Sequence, residues 1–357
     1  MSAEGRVASL RGLRGRVVRW ACCLALTGWA LAAQADVGLV EIPGAAGDGP
    51  VTLFYPSSAA AQPVQRMGLT LQLAWAGEPV RGNGRLVVIS HGSGSSPWVN
   101  AGLAGALVRA GFVVAMPEHR QDNYKDAGAP GPDSWKRRPA EVSRAIDVVA
   151  ADARFAPLLS LDKVGMFGMS AGGHTALTLA GGRWSPAQYL RHCEAHIADD
   201  FQTCAGISMR LNGGWLDGVK QRLVLWHSRL KLADANLYTH TDPRIAAVVA
   251  GVPFAVDFDA ASLAMPAMPL GLVTARLDTW LPPSFHSDPI LAACRPRCEW
   301  LMDTAGGGHG ALLSPLPPQL SGVLKDLVDD PPGFDRARQI PQLEASITAF
   351  LQRHLLP

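Results

Sequence analysis

The sequence predicts an α/β domain with a mostly parallel central sheet flanked by helices. Three observations predict it. Short apolar, β-branched runs of strand length alternate with stretches of helical composition, the pattern of βαβ units. Apolar residues make up 48% of the 357 positions and charged residues 17%, enough for a sizeable core and too apolar for disorder. A Gly-x-Ser-x-Gly motif falls at the junction of one apolar run and the helix after it. The length suits one large α/β domain or two average ones.

The chain opens on a basic and then apolar segment. Arg6, Arg11, Arg14, Arg16 and Arg19 precede an apolar stretch from Trp20 to Ala33, which ends at Ala33-Gln34-Ala35. This order reads as a secretory signal over residues 1–35, with Asp36 starting the mature chain. The apolar stretch is shorter than the roughly 20 residues a spanning helix needs, so no stable membrane anchor is expected after cleavage. Arg11-Gly-Leu-Arg14 lacks the adjacent pair of a twin-arginine signal, and Cys22 and Cys23 sit too early for a lipoprotein anchor. Five arginines and one glutamate, out of 32 basic and 30 acidic residues, lie in this segment, leaving 27 against 29 in the remainder. A near-neutral body offers no electrostatic reason to expect nucleic acid as a partner.

Residues 36–357 read as one domain. Val51–Tyr55 is a short strand, Pro56–Gln65 a small-residue linker and Arg81–Gly84 a turn. Leu86–Ser90 is an apolar strand that stops at His91-Gly-Ser-Gly94, and Ala101–Ala110 follows as a helix. Phe112–Met116 is a strand ended by Pro117, and Pro139–Ala151 carries Val142, Ala145, Ile146 and Val149 at helical spacing. Lys163–Phe167 is the next strand and Ala171–Ala180 the next helix. Regularity lapses between Gly181 and Asp242, a stretch that holds Trp184, Trp215 and Trp226. It is long enough to be an insertion rather than a connection. Its tryptophans either line a pocket or pack a small core of their own. Arg244–Val252, Leu270–Thr274 and Cys298–Met302 resume as strands, and Ala345–Leu355 closes the chain as a helix.

Four cysteines follow the leader: Cys193, Cys204, Cys294 and Cys298. An even number in an exported chain suggests disulfides. Of the three possible pairings, Cys193–Cys204 and Cys294–Cys298 are favoured because each closes a short loop. His192, Cys193, His196 and Cys204 are close in sequence, but their spacing fits no standard zinc module. With no nucleotide-binding fingerprint and no dense metal-ligand cluster, no cofactor is expected.

Gly168-Met-Ser-Ala-Gly172 carries the chemistry. Between a strand and a helix, this motif forms a nucleophile elbow: a strained turn that lifts the Ser170 oxygen above the sheet and needs small neighbours. The helix N-terminus then points at the reacting carbonyl. An oxyanion requires N–H donors. Ala171, next after the nucleophile, supplies one, and Ser93, in the loop after an earlier strand, is the candidate for the second. The base must be a histidine arriving late in the chain. His309 follows the final strand and Gly306-Gly-Gly308, whereas His354, His286 and His174 lack that setting. Asp278, shortly after the strand Leu270–Thr274, is the best acid to orient it, with Asp303, Asp257 and Asp259 as rivals.

Together these pieces resemble the predicted dienelactone-hydrolase-like group of α/β-hydrolases, related to the platelet-activating-factor acetylhydrolases. The matching residues are Phe54-Tyr-Pro56, Ser90-His-Gly-Ser-Gly94, Gly168-Met-Ser-Ala-Gly-Gly173, Asp278 with Pro282, and Gly308-His-Gly-Ala-Leu312, spread over nearly the whole mature chain. The resemblance implies an α/β-hydrolase fold with about eight strands, a Ser170–Asp278–His309 triad, no metal, and hydrolysis of carboxylic esters. Ser170 stands where true dienelactone hydrolase has a cysteine, so that substrate is not carried over, and no residue selects lipid esters. The expectation is an exported serine esterase, periplasmic or secreted, acting on a small-molecule ester, with the 181–242 insertion over its site. The rivals are a serine peptidase on the same fold, a non-catalytic binding protein, and a depolymerase working at a polyester or lipid surface.

Overall fold

The computed structural model of the chain describes residues 35–318 and 320–357. The expected leader lies outside the described residues, apart from Ala35. In chain order the elements are β1 (Asp36–Ile42), β2 (Val51–Ser57), β3 (Gln62–Arg66), β4 (Leu69–Trp75), β5 (Leu86–Ser90), α1 (Ala101–Arg109), β6 (Val113–Pro117), α2 (Pro132–Ala151), β7 (Val164–Met169) and α3 (Ala171–Leu179). Next come β8 (Arg183–Trp184), α4 (Pro186–His196), α5 (Phe201–Ala205), α6 (Asp217–Lys231), β9 (Ile245–Gly251), β10 (Phe258–Asp259), β11 (Leu270–Ala275), α7 (Ser287–Cys294), β12 (Cys298–Thr304), α8 (Gly322–Val328) and α9 (Arg336–Leu355).

Ten of these strands form one sheet, ordered β12-β11-β9-β7-β5-β6-β2-β1-β4-β3. The run from β12 to β6 is parallel throughout, and β2 joins β6 antiparallel. The class is therefore α/β with a mostly parallel sheet. Its parallel strands are buried on both faces, which is why they read as unbroken apolar runs. In β5, Leu86 and Val88 join one core layer while Val87 and Ile89 join the other. The first layer packs under α2 and α3 through Val142, Ile146, Val149 and Leu177. The second packs under α1 and α9 through Leu103, Leu107, Ile347, Phe350 and Leu351. Each such fully buried aliphatic side chain contributes about 1.5–3 kcal/mol.

The sheet has ten strands rather than about eight, and the stretch from Pro56 to Gln65 is not only a linker. Gln62–Arg66 is β3, paired antiparallel with β4 at the far edge. Its polar, exposed sequence, with Pro63 tolerated at an edge, shows no hydrophobic period. The connecting Met67 and Gly68 both have positive φ, 48° and 73°, as a two-residue hairpin turn requires.

The stretch from Gly181 to Asp242 is ordered and largely helical, holding α4, α5 and α6. Both local cysteine pairings are present: Cys193–Cys204 ties α4 to α5, and Cys294–Cys298 ties the end of α7 to the start of β12. Two disulfides fit an oxidising setting. The tryptophans divide. Trp184 is wholly buried against Trp135, His174 and Tyr238, whereas Trp215 and Trp226 face solvent. Among the described residues, no helix is long and apolar enough to cross a membrane.

Candidate active site

Ser170 sits between β7 and α3 with φ 59° and ψ −119°, a left-handed conformation that strains any residue with a side chain. Glycines make the turn possible by allowing close backbone approach. A Cβ on Gly168 would stand 1.9 Å from the Gly172 carbonyl oxygen, and one on Gly172 would stand 1.9 Å from that of Ser90. The strained turn is anchored on both sides: Ser170 donates its N–H to Gly251 O, and its own carbonyl accepts from Phe254 and His174.

Three expected residues, from three distant segments, meet here. His309 Nε2 lies 3.0 Å from Ser170 Oγ, and His309 Nδ1 lies 2.7 Å from Asp278 Oδ2. The other Asp278 oxygen accepts the N–H groups of Trp280 and Leu281 at 2.8 Å each, which fixes the carboxylate plane. Asp278 and His309 are buried, and Ser170 is half-buried. A carboxylate, imidazole and hydroxyl in this order can draw the serine proton as its oxygen attacks an electrophile. A cleft of about 550 Å³ opens beside Asp278 and His309, lined also by Leu277, Thr279 and Trp280. Its acidic rim is charge-paired, Asp326 with Arg210, Asp329 with Lys325 and Asp330 with Arg336.

The rival acids have other partners. Asp257 faces His174 at 3.0 Å, Asp303 holds Thr274 and Arg276, and Asp259 holds Arg183. Among the rival bases, His174 is thereby committed to Asp257. His286 is enclosed, taking the Ala255 N–H on Nδ1 and meeting Thr203 Oγ1 at Nε2.

The loop carrying Ser93 lies against the serine. A Cβ on Gly92 would be 3.6 Å from Ser170 Cβ. Asp122 clamps this loop by accepting from Ser93 Oγ at 2.6 Å and from the Gly94 N–H at 3.0 Å. Arg138, wholly buried, holds Asp122 in turn and also donates to the His91 carbonyl. Burial disfavours charge on Asp122, but Arg138 and the surrounding donors outweigh it and keep the carboxyl below its ordinary value. Gly94 is thus committed to Asp122. Among the described residues, the Ser93 and Ala171 N–H groups meet no protein acceptor.

Sequence reasoning missed a second serine–histidine–carboxylate chain. Ser90 Oγ lies 2.7 Å from His119 Nε2, and His119 Nδ1 lies 2.6 Å from Glu141 Oε2. Its distances match those of the first chain, but Ser90 and His119 have no exposed surface and Glu141 is 3% exposed. Burial lowers the pKa of His119 well below the ordinary histidine value and raises that of Glu141. Closed off from solvent, this chain meets the 91–94 loop where the His119 N–H donates to His91 Nε2 at 3.3 Å. In the sequence, Ser90 ends an apolar strand and Glu141 falls on the apolar face of α2, but His119 sits in the polar run Glu118-His119-Arg120 and stands out in no pattern. No protein-family model matches the chain, and no curated protein matches it.

Proposed function

We propose that this chain is a serine hydrolase of the α/β-hydrolase fold, cleaving carboxylic esters through an acyl-enzyme on Ser170. The observation that carries the reading is the Asp278–His309–Ser170 hydrogen-bond chain, ending on a half-buried serine held at φ 59°. His309 Nε2 takes the Ser170 proton as Oγ bonds to the ester carbonyl carbon, and Asp278 stabilises the imidazolium. The carbonyl oxygen, now negative, rests on the N–H groups of Ala171 and Ser93, both without a protein acceptor among the described residues. Collapse breaks the C–O bond, and His309 returns its proton to the departing alcohol. Water, deprotonated by His309, then attacks the acyl-enzyme and releases the acid and a restored Ser170.

The substrate of this reading is a small-molecule ester, with no cofactor. The leader and the two disulfides support export to the periplasm or beyond. The test is hydrolysis of a chromogenic ester series, from acetyl to long acyl, by the protein and by Ser170→Ala. A fall of roughly 10⁴ or more in the variant is expected. A folded protein that turns over no ester, or a variant that keeps full activity, overturns the reading. Cleavage of the matching amides as fast as the esters makes it a peptidase instead.

A further inference from the structure

We propose that the outer face of α6 docks the protein on an anionic lipid–water interface. Leu216, Val219, Leu223, Trp226 and Leu230 recur at alternating spacings of three and four along α6, and all are exposed. Trp215, in the turn just before the helix, is 89% exposed, and Trp226 is 61% exposed. The opposite side of α6 supplies its contact with the body, where Val224 and Ser228 are buried against the α4–α5 side. A continuous stripe of large apolar side chains turned to solvent marks an interaction surface rather than scattered exposure.

The charges beside the stripe select its occupant. Lys220, Arg222, His227 and Arg229 flank it, Lys231 follows, and α6 carries one carboxylate, Asp217. A second copy of α6 laid along the seam would set these cations against each other, because the flanking positions offer no acidic partner. An anionic surface complements them. Lys220 is paired with Asp217 and Arg229 with Glu194, while Arg222 and Lys231 carry no ion pair among the described residues. An amphipathic helix with basic flanks and exposed tryptophans is suited to lie in a headgroup layer with its apolar face in the acyl boundary. The face is also tied to the cleft. Arg210, in the segment leading into α6, pairs with Asp326 on the cleft rim, and its guanidinium lies 4.7 Å from the ring centre of Trp280.

The docking inference does not depend on the hydrolase reading, and its test is a binding measurement. The disulfide-bonded protein is co-sedimented with vesicles of phosphatidylcholine alone and of phosphatidylcholine mixed with phosphatidylglycerol. Binding to the mixed vesicles that weakens as salt rises is expected, with a loss of roughly tenfold or more in Trp226→Ser/Leu230→Ser and a smaller loss in Arg222→Glu. These side chains are exposed, and circular dichroism and thermal melting confirm that the variants fold. Ser170→Ala is expected to bind like the wild type. Failure of the wild type to bind mixed vesicles, equal binding to both vesicle types, or full binding by the double variant overturns the proposal. A concentration-dependent dimer in sedimentation velocity that dissolves in Trp226→Ser/Leu230→Ser overturns it in favour of a second copy, and capture by an acidic amphipathic helix without vesicle binding overturns it in favour of a protein partner.

Discussion

Thr203 and His286 share a hydrogen bond of 3.0 Å that couples the helical 181–242 segment to the loop after β11. The Ala255 N–H occupies His286 Nδ1, so the ring proton is on Nε2 and donates to Thr203 Oγ1. The Thr203 hydroxyl is then free to donate to the carbonyl of Trp280, 3.2 Å away. Trp280 in turn gives its N–H to Asp278. A four-residue relay thus runs from a buried histidine to the carboxylate beside His309.

Thr203→Val keeps the side-chain shape but leaves the Trp280 carbonyl and the His286 N–H without partners. The expected cost is roughly 1–3 kcal/mol, because both groups stay buried. Ester turnover falls with it as the Asp278 loop loosens. Denaturant midpoints and kcat/KM for the variant check this, and wild-type stability would show that the relay holds nothing.

The two serine–histidine–carboxylate chains separate by mutation. Ser90→Ala is expected to keep the proposed esterase activity within about tenfold, since Ser90 has no exposed surface and its loss acts through packing and the buried hydrogen bond to His119. Single-turnover acylation by a chromogenic ester distinguishes it from Ser170→Ala. Equal loss in the two variants would place the chemistry at neither serine alone.

Acid weakens the fold through histidines buried in the neutral form. Burial holds the pKa of His286 down at about 3, against an ordinary 6.5, although Asp200 opposes the shift. Below pH 6.5 the unfolded chain therefore takes up a proton that the native chain refuses, and stability drops as pH falls from 6.5 towards about 3. His91 and His119, also lowered by burial, act in the same direction. Denaturant titrations across this window are expected to show the slope, and His286→Gln to flatten it. Stability independent of pH over the window contradicts the assignment.

Arg138→Met leaves the Asp122 carboxylate buried and unpaired, at a cost of about 3–5 kcal/mol. Asp122→Asn added to it relieves most of that cost, because the amide carries no charge. Both variants are expected to lower kcat more than they raise KM, since the 92–94 loop loses its clamp while the residues lining the cleft are untouched. A change in KM alone would argue that the clamp does not act on the loop beside Ser170.

Local signals in the sequence determined the parallel strands and the elbow, and they favoured the cysteine pairing that the structure has. Strands buried on both faces need continuous apolar runs, a strand-to-helix turn at φ 59° needs Gly168 and Gly172, and short loops favour neighbouring cysteines. Ser170, Asp278 and His309 were legible for the same reason: each follows a readable strand. What depends on contact between distant segments and carries no local motif was not legible. The polar edge strand β3 exists because β4 pairs with it. α6 carries a three-and-four apolar spacing inside a stretch that reads as irregular, and only the packing of α4 and α5 on its other side turns the apolar face outward. The Ser90–His119–Glu141 chain, the Asp122–Arg138 clamp and the Thr203 relay join residues up to 83 positions apart. Burial and distance, which a linear pattern does not encode, decide that one serine is half-buried beside His309 and the other is sealed in the core.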